Sequence, residues 1–251
     1  MTEQVTYTIK PLDVGTVIID KPRVVYGVGF GEKLRLPSIM WYVEGGGRHI
    51  MVDTGCSSPE WSAKYHFPIE RSAEQEPTRA LAAKGIDPDQ IDLVILTHLH
   101  WDHCFNNDLF PNARFVVQRE ELRYAAAPLP IHARGYESII LGMVPPYAGR
   151  PLDVLSGDVE LADGLSVFLS PGHTPGSQGV LIRTTKGIYC LAGDTVPLYE
   201  NWRGDSFLRH IPGMLSVDME QYHETLERIE RLSDVVLPGH DPAVMEQESY
   251  P

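Results

Sequence analysis

Apolar residues in this chain come in short blocks, alternating or contiguous, separated by glycine, proline and small polar residues. That is the pattern of strands more than of long helices. Residues 5–9 and 16–19 read as two short opening strands. Residues 37–43 and 49–52 read as the arms of a hairpin, with the glycine-rich run Glu44-Gly45-Gly46-Gly47-Arg48 as its turn. Residues 91–96 are apolar and branched apart from Asp92 and are bounded by Pro88 and a polar cluster, which predicts a buried strand; residues 115–117 predict another. Further strands are expected at 164–169, 179–183, 188–191 and 234–237. Helical character is confined to 78–84, which stops at Gly85, to 118–127, and to the amphipathic 219–232. Residues 128–151, rich in proline and glycine, read as a long surface loop. Strands bunch in both halves with helices between them, which predicts an α+β protein with two sheets and helices outside.

No linker, low-complexity run or internal repeat divides the 251 residues, so residues 1–251 are expected to form one domain. The formal net charge of −13 and the absence of a basic stripe exclude a nucleic-acid partner. No apolar run approaches a membrane span, so no membrane partner is expected. The N-terminal residues lack the basic-then-apolar order of a secretory signal. The three cysteines, Cys56, Cys104 and Cys190, are odd in number and without paired spacing, as in a reduced cytoplasm. The run Gly27-Val28-Gly29-Phe30-Gly31 does not fit a dinucleotide fingerprint and implies no nucleotide.

Chemistry concentrates in His98-Leu99-His100-Trp101-Asp102-His103, directly after the strand at 91–96. Imidazole and carboxylate are ligands for borderline divalent cations. The segment is expected to be a turn opening a short helix, with His98 and His100 facing one point and Asp102 and His103 able to face a second. Three later segments repeat the strand-then-polar-turn arrangement: Gly172-His173-Thr174-Pro175-Gly176, Gly193-Asp194, and Pro238-Gly239-His240. Glycines beside these positions permit close backbone approach. Asp53, in Asp53-Thr54-Gly55, also ends a strand and could orient a ligating histidine.

In this order, from about Pro37 to Asp241, the motifs resemble those of the metallo-β-lactamase superfamily, most of all its N-acyl-homoserine lactonase branch. The resemblance implies an αβ/βα four-layer sandwich with metals at one sheet edge. It implies two divalent cations, with zinc as the expected metal: one held by His98, His100 and His173, one by Asp102, His103 and His240, and Asp194 bridging both with a water or hydroxide. The implied activity is opening of a small lactone by a metal-bridging hydroxide, with Asp102 and Asp194 in the catalytic set. The alternatives are another small ester, a thioester, a carboxylated aromatic lactone or a cyclic amide.

The closest members of that branch carry a tyrosine three residues after the bridging aspartate, where this chain has Pro197. Either Tyr199 takes over that role or the substrate differs. Trp101, Tyr199 and Trp202 are the candidates for a substrate pocket, and Arg134, Arg203 and Arg209 could meet a substrate carboxylate. Cys56 and Cys104 adjoin the motifs and read as small buried residues. His49, His66, His132, His210 and His223 have no motif context. The loop 128–151 and the insert 195–216 are expected to shape the pocket and to offer an interface for a homodimer. Only eleven residues follow His240, too few for the glutathione-binding domain of a glyoxalase II-type enzyme. His100 stands where flavodiiron relatives carry a carboxylate.

Overall fold

The computed structural model describes residues 4–251, so residues 1–3 of the N-terminal segment lie outside the described residues. In chain order the elements are β1 (Tyr7–Asp20), α1 (Lys21–Val24), β2 (Lys33–Gly45), β3 (Arg48–Val52), α2 (Pro59–Tyr65), β4 (Ile69–Glu70), α3 (Pro77–Ala83), β5 (Leu93–Ile95), β6 (Arg114–Gln118), α4 (Arg119–Ala126), β7 (Leu152–Leu155), β8 (Val159–Ala162), β9 (Leu165–Leu169), β10 (Gln178–Thr184), β11 (Gly187–Leu191), α5 (Tyr199–Arg203), α6 (Met219–Leu232) and β12 (Val235–Leu237). A seven-stranded sheet runs β4-β1-β2-β3-β5-β6-β7 and a five-stranded sheet β12-β11-β10-β9-β8.

Side-chain alternation along the strands builds four layers. Ile50, Val52, Leu93, Ile95 and Val116 point inward and meet Val167, Val180, Ile182 and Leu191 of the other sheet in one core. Their neighbours Met51, Val94, Phe115 and Val117 point outward and pack with Leu81 of α3 and Ala125 of α4. On the far side Phe168, Cys190 and Val236 pack with Tyr222, Leu226 and Ile229 of α6. The order is helix, sheet, sheet, helix. Central strands buried on both faces must be apolar throughout, which explains the near-continuous runs at 49–52 and 91–96.

The expected hairpin extends across Lys33–Gly45 and Arg48–Val52. Gly46 and Gly47 both take positive φ, 58° and 75°, the tight turn that glycine permits. The two opening strands are instead one 14-residue strand. A bulge between Asp13 and Thr16 interrupts its pattern without ending it. Asp13 caps that bulge by accepting from Gly15 N at 3.1 Å. Two edge strands, β7 and β8, and the short helices α2 and α5 have no counterpart in the sequence pattern. Helix α6 matches its expected bounds. Among the described residues no helix is long and apolar enough to cross a membrane.

Candidate metal centre

The strands β3, β5, β9, β11 and β12 all run toward one edge of the sandwich, and each delivers a polar residue just past its last ladder position. Asp53 follows β3, His98 to His103 follow β5, and His173, Asp194 and His240 follow β9, β11 and β12. The edge is stitched by Gln178, whose N donates to Thr97 O and whose Nε2 donates to Leu96 O, both at 2.8 Å.

The His98–His103 segment is a turn, and a short 3-10 helix follows it at Asn107–Leu109. The loop after β3 pairs with the far end of the turn, where Thr54 N donates to His103 O at 2.6 Å and Phe105 N donates to Gly55 O at 3.1 Å, while within the turn His103 N donates to His100 O at 3.0 Å.

Seven side chains converge in two groups: His98, His100, His173 and Asp194, and Asp102, His103 and His240. In the first, His98 Nε2 and His173 Nε2 each lie 3.0 Å from His100 Nδ1. Asp194 Oδ2 is 3.4 Å from His173 Nε2 and 3.9 Å from His98 Nε2. In the second, His103 Nε2 and His240 Nε2 are 3.2 Å apart, and Asp194 Oδ1 lies 3.1 Å from one and 2.9 Å from the other. Asp102 stands 3.9–4.0 Å from the same two nitrogens. The two oxygens of Asp194 thus face different histidine sets.

The other ring nitrogens fix which lone pairs face inward. His173 Nδ1 donates to Leu215 O at 2.6 Å and His240 Nδ1 donates to Pro37 O at 2.8 Å. His103 Nδ1 donates to Asp53 Oδ2 at 2.7 Å. Thr97 Oγ1 donates to the same oxygen, so it accepts from His98 Nδ1, 3.1 Å away. A nitrogen facing only acceptors carries the hydrogen, which leaves each Nε2 with its lone pair toward the cluster.

Imidazole lone pairs 3.0 Å apart repel unless a cation lies between them. Nitrogen ligands at ~2.0–2.1 Å in a tetrahedral site stand ~3.3 Å from one another, close to the spacings observed. Asp194 Oδ1 is buried and accepts no well-aligned hydrogen bond. Both features fit a pair of divalent cations.

The electrostatics agree. Burial, reinforced by neighbouring imidazoles, holds His98 and His100 well below the ordinary histidine value, and burial lowers His173. These rings are neutral, as metal ligands must be. Burial would also depress His103 and His240, but the surrounding carboxylates together outweigh it and raise both: Asp194, Asp53 and Asp102 at His103, Asp194 and Asp102 at His240. Burial would raise Asp194, yet His240, His103 and His173 hold it well below the carboxylate range.

Supporting residues without a motif complete the site. Buried Glu121 accepts from Leu99 N at 2.9 Å and from Thr174 Oγ1 at 2.5 Å, tying together the two histidine loops. Tyr136 packs edge-on against the His100 ring, centroids 4.6 Å apart. A Cβ on Gly135 would sit 2.8 Å from that ring, so glycine is what lets the backbone close on it. His66 stacks flat on Trp101 at 4.8 Å.

A cavity of about 550 Å³ opens over the cluster, walled by Val17, Ile19, Leu36, Phe67, Trp101 and Ile131. Both the loop 128–151 and the insert 195–216 contribute to it, through Tyr136 and Leu215 among others. Of the three pocket candidates Trp101 lines the cavity, and Tyr199 and Trp202 are not among its lining residues. Tyr199 packs on the core between the sheets with Arg203 over its ring, and its N–H donates to Asp241 Oδ2 at 2.7 Å. Trp202 stacks on His210. Helix α5 faces both away from the cavity, and at the third position after Asp194 it is Pro197 that lines it. Arg209 pairs with Glu230 at 2.7 Å, while Arg134 reaches the cavity. Cys56 and Cys104 stand outside both ligand groups, buried beside Val14 O and Leu99 O.

The same architecture occurs in solved structures. An N-acyl homoserine lactone hydrolase with the product N-hexanoyl-L-homoserine at its catalytic metal centre superposes with a TM-score of 0.79 at 23% identity, covering 97% of this chain and 96% of that one. A quorum-quenching N-acyl homoserine lactone lactonase gives 0.76 at 25% identity, covering 97% and 95%. In sequence, the N-acyl homoserine lactonase AttM of Azorhizobium caulinodans is 33% identical over 187 residues, 70% of this chain and 68% of the relative. The lactonase AiiA of Bacillus thuringiensis subsp. kurstaki is 27% identical over 246 residues, 93% and 92%. Residues 35–240, which span every ligand position described above, match the metallo-beta-lactamase superfamily. With its four-layer sandwich and its histidine and aspartate turns at one sheet edge, the chain belongs to the metallo-beta-lactamase superfamily.

Proposed function

We propose that the protein is a dinuclear metal-dependent hydrolase that opens a small lactone, the activity named for its acyl-homoserine lactonase relatives. The observation that carries this reading is Asp194, one carboxylate with its two oxygens turned to two histidine sets at the floor of an apolar cavity. His98, His100 and His173 would hold one cation, Asp102, His103 and His240 the other, and Asp194 both. Zinc suits a donor set of imidazoles and carboxylates. Two such cations, when bound, supply an activated water near neutral pH and a Lewis acid for an ester carbonyl.

The protein's own residues do the rest. Asp53 and the carbonyls of Pro37 and Leu215 hold the histidines in one tautomer. Asp102 and Asp194 are acceptors committed to the cluster, which suits them to holding cations and not to shuttling protons. Trp101 and the apolar walls exclude bulk water from the substrate side, which strengthens every polar contact within. Ring opening leaves the alcohol tethered to the acid, so no second product needs its own exit from the cavity.

The test is a lactone panel on zinc-loaded protein with two metals per chain confirmed, following acid release with a pH indicator. It includes homoserine lactones of short and long acyl chain, simple aliphatic lactones and a carboxylated aromatic lactone. Turnover abolished by a chelator and restored by zinc is expected. No turnover on any member at full metal occupancy would sink the lactonase reading.

A further inference from the structure

The cavity carries a charge pattern that ring opening alone does not require. Among the described residues its only carboxylates are Asp102 and Asp194, both in the candidate ligand groups. Its arginines are Arg23 and Arg134. The chain holds 34 acidic residues against 21 basic ones, so carboxylate partners are abundant. Several arginines elsewhere take them, Arg35 with Glu70 at 2.6 Å, Arg48 with Asp92 at 2.7 Å and Arg183 with Asp163 at 2.7 Å, whereas Arg203 lies only over the Tyr199 ring. Among the described residues the Arg134 side chain has no ion pair and no hydrogen bond; only its backbone oxygen is engaged. Arg23 reaches Asp20 only at 3.9 Å and lies over the Phe67 ring at 5.5 Å.

The other basic groups on the wall are occupied. Burial lowers His132, whose Nδ1 accepts from Tyr124 Oη at 2.5 Å. His66 places Nε2 2.7 Å from Glu137 Oε1 and Nδ1 2.9 Å from Arg134 O, so both ring nitrogens face acceptors.

That last contact belongs to a rigid mount. Glu137 Oε1 also accepts from Trp61 Nε1 at 2.8 Å, and Trp101 N donates to Gly135 O at 2.9 Å. The backbone of Arg134 is therefore anchored on both sides by buried groups, and its neighbour Gly135 abuts the His100 ring. Arg134 is exposed at the cavity wall, with its backbone held beside the metal centre and its guanidinium unpaired, so an anionic ligand in the cavity can reach it. A guanidinium matches a carboxylate through two parallel N–H bonds.

We infer that the substrate of this centre carries a carboxylate near its scissile ester, bound by Arg134, with Arg23 adding charge to the same cavity. The inference rests on the lactonase reading and narrows its substrate from neutral to anionic lactones.

The test compares a γ-butyrolactone bearing a ring carboxylate with its carboxamide, on zinc-loaded wild type, Arg134→Gln, Arg134→Lys and Arg23→Gln. Wild type is expected to favour the carboxylate by ~10-fold or more in kcat/KM, mainly through KM, as a hydrogen-bonded charge pair implies. Arg134→Gln should bring that ratio toward one, Arg134→Lys should keep part of it, and added salt should lower it. A wild-type ratio near one overturns the inference. So does an Arg134→Gln variant that slows both lactones alike, because a merely structural role leaves the ratio intact. Failure of both lactones to open at full metal occupancy sinks the lactonase reading instead. Calorimetric titration of the carboxylated lactone then decides the carboxylate site separately: binding to wild type that Arg134→Gln abolishes supports it, and no binding to wild type overturns it.

Discussion

The Asp53 carboxylate accepts three hydrogen bonds at 2.7 Å, from Thr97 N, Thr97 Oγ1 and His103 Nδ1. Through Thr97 it also fixes the His98 ring, so one buried residue orients a histidine in each ligand group. Asp53 adopts φ of 59°, a strained backbone for a residue with a side chain, at the point where the chain turns from β3 toward the site. Asparagine tolerates that conformation, so Asp53→Asn removes the charge and one acceptor without refolding the turn. The variant is expected to bind zinc ~10- to 100-fold more weakly, the usual cost of losing a residue that orients a ligand. Competition with a chromophoric chelator measures this. Affinity equal to wild type would reduce Asp53 to a turn former.

Among the elements, α4 carries more of the site than its position in sequence suggests. Its Glu121 joins the loop of His98 and His100 to the loop of His173, and the approach is so close that a Cβ on Gly176 would lie 1.9 Å from Glu121 N. Gly176→Ala must push α4 and the His173 loop apart. A loss of about 1–3 kcal/mol in unfolding free energy, typical of overpacking, is expected in urea titrations, together with weaker zinc binding. An unchanged midpoint with full metal content would mean that the two segments move independently. The missed elements have a common cause at this scale. β7 is an edge strand whose four side chains are exposed or half-buried, so no apolar alternation marks it. α5 has five residues, too few for a period to show.

Across the whole molecule, titratable groups are buried in quantity. Burial raises the thiols of Cys56, Cys104 and Cys190 and the phenols of Tyr136 and Tyr222. Unfolded thiols ionise near 9.0 and phenols near 10.0, while the folded groups stay protonated. Above pH ~9 the unfolded state therefore binds fewer protons than the folded one, and stability falls by about 1.4 kcal/mol per pH unit for each such group. Urea unfolding between pH 7 and 11 should show a plateau and then this decline. In the same protein at neutral pH, Ellman's reagent should titrate no thiol before denaturation and three after it. A thiol that reacts in the folded state would contradict its burial.

By itself the sequence determined the candidate ligand types, their order and the strands that present them, because each candidate lies within a few residues of a strand end and local pattern marks both. It also determined helix α6 and the tight glycine turn of the hairpin, which depend on periodicity and backbone freedom at adjacent positions. Only the tertiary structure decided which oxygen of Asp194 faces which histidines, that Glu121, Gly135 and His66 support the site, and that Arg134 enters the cavity while Tyr199 and Trp202 turn away. Those facts depend on contacts between residues 20 to 200 positions apart. Such contacts are set by how the two sheets pack, and no local pattern of residues encodes them.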